Sequence, residues 1–165
     1  MSPTEAEKEA IALNKILCPY DFSESSSYAL KYAVEFASAY KAKLYLLHVF
    51  DIRAYDYGEP VYGISVPTKD AINTIRTELA NSIPEKVKKE LSASGGLEAI
   101  VASGVPFYEI IKFANDNKID LIVMGTHGRT GLAHILLGSV AEKVVRKASC
   151  PVLTVRHPGQ EFVKI

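Results

Sequence analysis

The chain predicts an α/β fold with a mainly parallel sheet and right-handed crossovers. Three observations carry that expectation. Apolar runs of strand length alternate with helical stripes through residues 15–155. The run Lys43-Leu44-Tyr45-Leu46-Leu47-His48-Val49-Phe50 is almost continuously apolar, as a strand covered on both faces must be. Finally, Asp120-Leu121-Ile122-Val123-Met124 leaves its strand pattern through spaced glycines, Gly125, Gly128, Gly131 and Gly138, before a new helix opens. Sheets of this kind bind ligands beyond their strand C-termini, where the strand order reverses. The first and fourth strands both end in polar or glycine chemistry and are the candidates to flank that point.

Residues 1–14 carry Glu5, Glu7 and Glu9 and no long apolar core, which suits a lead-in or short helix and not a secretory signal. Lys15-Ile16-Leu17-Cys18-Pro19 is the first strand, and Ser23 begins a helix whose Leu30, Ala33, Val34 and Ala37 recur at helical spacing. The alanines on that stripe predict close packing onto the sheet. After the second strand, periodicity stops over 51–67, where Tyr55, Tyr57, Gly58, Pro60, Tyr62 and Gly63 mark a long loop. Ile72, Ile75, Leu79, Ile83, Val87 and Leu91 form one helical stripe, which Pro84 interrupts because it lacks an N–H and crowds the preceding turn. The capping-box spacing from Ser82 to Glu85 predicts a kink or restart there. Gly95-Gly96 closes this element, and 97–102 is a third, more weakly amphipathic strand. Pro106 suits the first turn of a helix with Ile110, Ile111 and Ala114 inside, ending near Asn117. The fourth strand and glycine segment follow, then a helix over about 138–147 and a fifth strand, Val152-Leu153-Thr154-Val155.

A chain of 165 residues suits one domain, and with 48% apolar residues it has material for a substantial core. Lys+Arg and Asp+Glu balance at 19 each, which argues against holding nucleic acid by bulk electrostatics. Lys143, Arg146 and Lys147 cluster near the end of the last helix, where cations complement the helix dipole and form a solvated face. No apolar run approaches the roughly 20 residues of a membrane span. Cys18 and Cys150 each precede a proline and make neither a metal set nor a disulfide framework. They read as small buried thiols in a reducing cytoplasm, with oxidative sensing through Cys150 as the other reading.

The glycine segment has the chemistry of a phosphate cradle. Glycines remove the Cβ atoms that keep an anion from peptide N–H groups, and Gly138-Ser139 opens a helix whose first N–H groups and dipole favour negative charge. A plain strand-to-helix connection is the alternative. No Gly-x4-Gly-Lys-Ser/Thr run occurs, so a Walker loop is absent, and the glycines do not make Gly-x-Gly-x-x-Gly. Ser94-Gly95-Gly96 is similar to an ATP-pyrophosphatase loop, but it follows a helix and lacks the ensuing Asp-Ser. No Ser-His-Asp set, zinc motif or catalytic carboxylate pair has recognisable spacing.

Gly125, two residues, Gly128, nine residues, Gly138-Ser139 resembles the ATP-binding signature of the universal stress protein family. Pro19-Tyr20-Asp21-Phe22-Ser23 supports the same resemblance, which covers 14–156 and leaves a lead-in (1–13) and a tail (157–165). It implies a single Rossmann-like domain, of the adenine nucleotide alpha hydrolase-like kind, with sheet order 3-2-1-4-5. It also implies a cytoplasmic, ATP-binding regulator or sensor in the stress response that dimerises through the last strand, 152–155. An exposed apolar edge strand suits that pairing. ADP or AMP are alternative ligands, with Mg²⁺ carried on phosphate, and a further protein partner is open. A slow ATPase or phosphotransferase, or an interaction protein with a vestigial pocket, are the competing functions.

Carried onto this sequence, the resemblance places Pro19, Tyr20, Asp21, Val49, Met124, Gly125, His127, Gly128, Arg129, Gly138, Ser139 and Val140 around the nucleotide. Asp21 either caps the helix near Ser23 or meets ribose or Mg²⁺. Tyr20 replaces the family's usual small residue and would stack on adenine or partly fill the pocket. Val49 offers its backbone to adenine or is a core valine. His127 is a phosphate contact and weak as a general base without a paired carboxylate. Arg129 is a phosphate partner or a loop charge. Ser139 caps the last helix and donates to phosphate. His48 reads as a satisfied core histidine.

Overall fold

The computed structural model describes residues 11–52, 67–128 and 137–158. Among these, strands β1 (Lys15–Pro19), β2 (Lys43–Asp51), β3 (Leu97–Gly104), β4 (Leu121–Gly125) and β5 (Val152–Val155) form one sheet. They alternate with helices α1 (Glu24–Tyr40), α2 (Lys69–Asn81), α3 (Glu85–Ser94), α4 (Pro106–Asn117) and α5 (Ser139–Lys147). Every strand pair is parallel and the order is β3-β2-β1-β4-β5. The order expected from the resemblance is therefore found, with its reversal between β1 and β4. The expected loop over 51–67 lies largely outside the described residues, as do the glycine segment over 129–136, most of the lead-in and the last residues of the tail.

Strand alternation sorts the core into two layers. Ile16, Cys18, Leu44, Leu46 and Val123 face one side, where they meet Ala29, Leu30, Ala33 and Ala37 of α1 and Leu79, Ile83 and Leu91 of the α2–α3 region. Leu17, Tyr45, Leu47, Ile122 and Met124 face the other, against Ile110 and Ala114 of α4 and Ala141 and Val144 of α5. Ala29, Ala33 and Ala37 are fully buried one turn apart, so α1 lies close against the sheet, as its small residues predict. Both α1 and α4 end on lysines in the left-handed region, Lys41 (φ 54°) and Lys118 (φ 53°), whose N–H groups bond back to the last turn.

The restart at Pro84 is present, but without the expected capping box. Pro84 itself is the N-cap of α3 and makes no side-chain cap bond. Ser82 still has helical dihedrals, and its hydroxyl donates to the Glu78 carbonyl (3.1 Å) within α2. The Ser94-Gly95-Gly96 run also has a structural cause. A Cβ on Gly95 would lie 2.1 Å from the Ala42 carbonyl carbon, so this turn must pass directly over the α1–β2 connection. At the N-terminal edge of the sheet, the Asp120 carboxylate accepts from the Asn14 (2.7 Å) and Lys15 (2.9 Å) amides, which ties the start of β1 to the entry of β4.

Among the described residues no helix is long and apolar enough to cross a membrane. Cys18 is wholly buried, and desolvation pushes its thiol up to about 12 from an ordinary 9.0. Cys150 is half-buried and also raised, chiefly by burial. Neither has the lowered value of a reactive thiolate. A thiol reagent at pH 8 should therefore modify Cys150 slowly and Cys18 only after unfolding. Equal labelling of both in the native protein, read by mass spectrometry, would contradict this burial.

Candidate functional site

β1 and β4 are adjacent across the order reversal, where sheets of this kind form a ligand crevice beyond their strand C-termini. On the β1 side the ladder closes with the Tyr20 amide donating to the Leu47 carbonyl (2.8 Å). The Tyr20 ring then turns into the α1 layer, where its hydroxyl meets Ser27 Oγ (2.9 Å) and its edge meets Phe22. Val49, Met124 and Val140 pack in the opposite layer, so the Tyr20 side chain does not narrow the space on their side of the sheet.

Asp21 is half-buried, and its Oδ1 accepts from both the amide (3.0 Å) and hydroxyl of Ser23. It is not the helix cap. Ser23 is, accepting from the Ser26 amide (3.1 Å), and Asp21 braces it from outside the helix. Between them Phe22 adopts φ 65°, a left-handed conformation that costs a non-glycine residue energy and turns the chain sharply from strand to helix.

On the β4 side, Gly125 meets a packing requirement. A Cβ there would lie 2.4 Å from Ser25 Oγ and 2.8 Å from the Ser25 carbonyl carbon, so only glycine lets the start of α1 touch the end of β4. Ser25 Oγ also receives the His127 amide (3.4 Å), while His127 Nδ1 pairs with Thr126 Oγ1 (3.0 Å). Gly128 lies across the crevice from β1, where a Cβ would come within 2.8 Å of Asp21 Oδ2. The Gly138 amide donates to the Thr126 carbonyl (2.7 Å) and pins together the two ends of the intervening segment. Arg129, Thr130, Gly131 and His134 lie outside the described residues.

The expected cap at Ser139 is displaced by one residue. Gly138, with extended dihedrals (φ −66°, ψ 157°), is the N-cap of α5, and Ser139 is the exposed first helical residue. No side chain caps this helix. Helix geometry leaves the amides of Ser139, Val140 and Ala141 without intrahelical acceptors, at the positive end of the dipole. The turn is set by backbone, because the Gly138 amide is drawn to Thr126.

His48 is the buried, satisfied histidine the apolar run suggests: its Nδ1 lies 2.8 Å from the Tyr20 carbonyl. What residue patterns missed is the support around Asp21 and Gly125, namely Ser23, Ser25 and the His48 bond. The Ser23-x-x-Ser26 spacing could have revealed the cap. Nothing local in the sequence reveals a contact from β2 to the end of β1.

Element order and strand order together define a Rossmann-like α/β domain. The profile of the Universal stress protein family matches residues 12–156, and the chain belongs to that family. Universal stress protein MJ0531 of Methanocaldococcus jannaschii is 40% identical over 148 residues, covering 89% of this chain and 84% of that protein. MJ0577 of the same organism is 37% identical over 159 residues, covering 90% and 98%. The solved structure of MJ0577 matches with a TM-score of 0.66 and covers 90% of this chain and 99% of that one. A universal stress protein solved in complex with cAMP matches at 26% identity and a TM-score of 0.59, covering 87% and 97%.

Gly125, packed on the start of α1, and Gly128, facing Asp21, should differ in consequence. Gly125→Ala forces backbone against backbone and should lower stability by about 1–3 kcal/mol. Gly128→Ala meets the end of a side chain and should stay within about 1 kcal/mol of the parent. Thermal melts in the reverse order would contradict these placements.

Proposed function

We propose that this protein is an adenine-nucleotide-binding regulator or sensor of the stress response, acting in the cytoplasm with ATP as its ligand and ADP or AMP as alternatives. The observation that carries this reading is the juxtaposition of Asp21, Gly128 and the uncapped start of α5 at one strand-order reversal. A Cβ on Gly128 would come within 2.8 Å of Asp21 Oδ2, and one on Gly138 would stand 3.1 Å from the Thr126 carbonyl oxygen. In this reading the amides of Ser139 and Val140 and the backbone at Gly128 receive phosphate oxygens. Val49 offers its backbone to the base beside Met124, and Pro19 and Tyr20 carry the turn that presents Asp21. His127 and Arg129 complete the phosphate side. The relative solved with cAMP supports an adenine nucleotide as the ligand class.

The residues also suit Mg²⁺ that arrives with the nucleotide. Ser23 holds Asp21 Oδ1, and a single carboxylate placed this way fits a hydrated cation already held by phosphate. When bound, the cation would neutralise phosphate charge, and the chain's contribution is orientation. We place the domain at 14–156 and its dimer contact along β5, the edge strand of the sheet among the described residues.

Calorimetric titration tests the reading. ATP should bind saturably below millimolar concentration, and Asp21→Asn should weaken binding about tenfold in Mg²⁺ but much less in EDTA. Absence of saturable ATP, ADP or AMP binding up to millimolar concentration would overturn it.

A further inference from the structure

We propose that His48 is a positioning residue for Asp21: from β2 it holds the peptide from which Asp21 departs and so sets where that carboxylate stands against Gly128. The proposal rests on the reading of Asp21 as a ligand-facing group, but its geometry stands on the protein alone.

β1 stops at Pro19 while β2 runs on to Asp51. The chain therefore leaves the sheet just before Asp21, and the imidazole meets it there. A carbonyl oxygen only accepts, so the 2.8 Å contact requires that His48 Nδ1 carry the proton and donate to Tyr20. The Tyr20 carbonyl and the Asp21 amide belong to one planar unit. Fixing the carbonyl thus fixes the plane that launches Asp21. At the other edge of that plane the Asp21 amide reaches Ser26 Oγ at 3.4 Å, a far looser hold.

The ring is itself held in place. It is buried, with the rings of Phe22 and Phe50 at 5.2 and 5.5 Å. Phe22 is also the residue at φ 65°, and its ring centroid lies 5.1 Å from that of Tyr20 in a T-shaped contact. A strained turn persists only when its surroundings over-determine it, and His48 supplies both a hydrogen bond and a packing surface to this one.

Leucine and asparagine separate these two contributions, because they share a shape while only asparagine offers an N–H where His48 offers Nδ1. The full chain carrying His48→Leu should bind Mg-ATP about tenfold more weakly, the scale of losing an outer hydrogen bond to a cation-facing group. His48→Asn should recover most of that affinity even where it melts no higher than His48→Leu. In an Asp21→Asn background His48→Leu should add little, since both changes act through one carboxylate. Affinity that follows melting temperature instead of the donor would overturn the proposal.

Amide NMR of the ligand-free variants separates this inference from the nucleotide reading. His48→Leu should shift Asp21 and Gly128 and His48→Asn should restore them, whether or not ATP binds. Unmoved signals at both residues in His48→Leu would overturn the positioning role. Loss of ATP binding by the parent protein would overturn only the nucleotide reading. His48→Met, a flexible residue without a donor, replaces His48→Leu if that variant does not fold.

Discussion

The pairing of β1 with β4 is the constraint on which the rest of the molecule depends. β1 is the first strand, yet it lies at the centre of the sheet, with later strands added on one side and then on the other. Its neighbours are fixed at both ends. Asp120 clamps its start to the entry of β4, and Ser25 of the helix that follows it rests on Gly125 at the exit of β4. Both strands point the same way and their crossovers leave in opposite directions, the arrangement that places a ligand crevice beyond the strand C-termini in sheets of this kind. Asp21 and Gly128 meet there.

Much of this was legible in the sequence, for identifiable reasons. A strand buried on both faces must be nearly all apolar, which made β2 and β4 easy to find, and β1 and β5 have the bounds their residues predict. Alanine spacing on α1 correctly implied close approach to the sheet. The details that differ are backbone decisions. Capping at Pro84 and Ser23 follows the local backbone turn, and at Gly138 the amide is captured by Thr126, whereas residue type alone left Ser82, Asp21 and Ser139 as the nearer candidates.

The glycines show the same limit. Spacing marks them as a group, but their roles separate in three dimensions: Gly125 admits a helix, Gly128 faces Asp21, and Gly138 closes the segment and opens α5. Tyr20 is the converse case. Its size suggested either stacking on adenine or partial filling of the pocket, and alternation directs its ring into the α1 layer, with Val49 and Met124 in the other. Under the proposed function, backbone amides at Gly128 and the start of α5 hold the phosphates. His127, the residue with the most obvious acid–base potential, is engaged with Thr126.

The most direct test of the central claim is amide NMR mapping of ATP on the uniformly labelled protein. The β1–β4 crevice as nucleotide site predicts the largest shifts at Asp21, Gly128 and the Ser139–Ala141 amides, with β3 and α2 nearly unmoved. Saturable shifts centred on β3, α2 or α3, with Asp21 and the start of α5 unchanged, would contradict it.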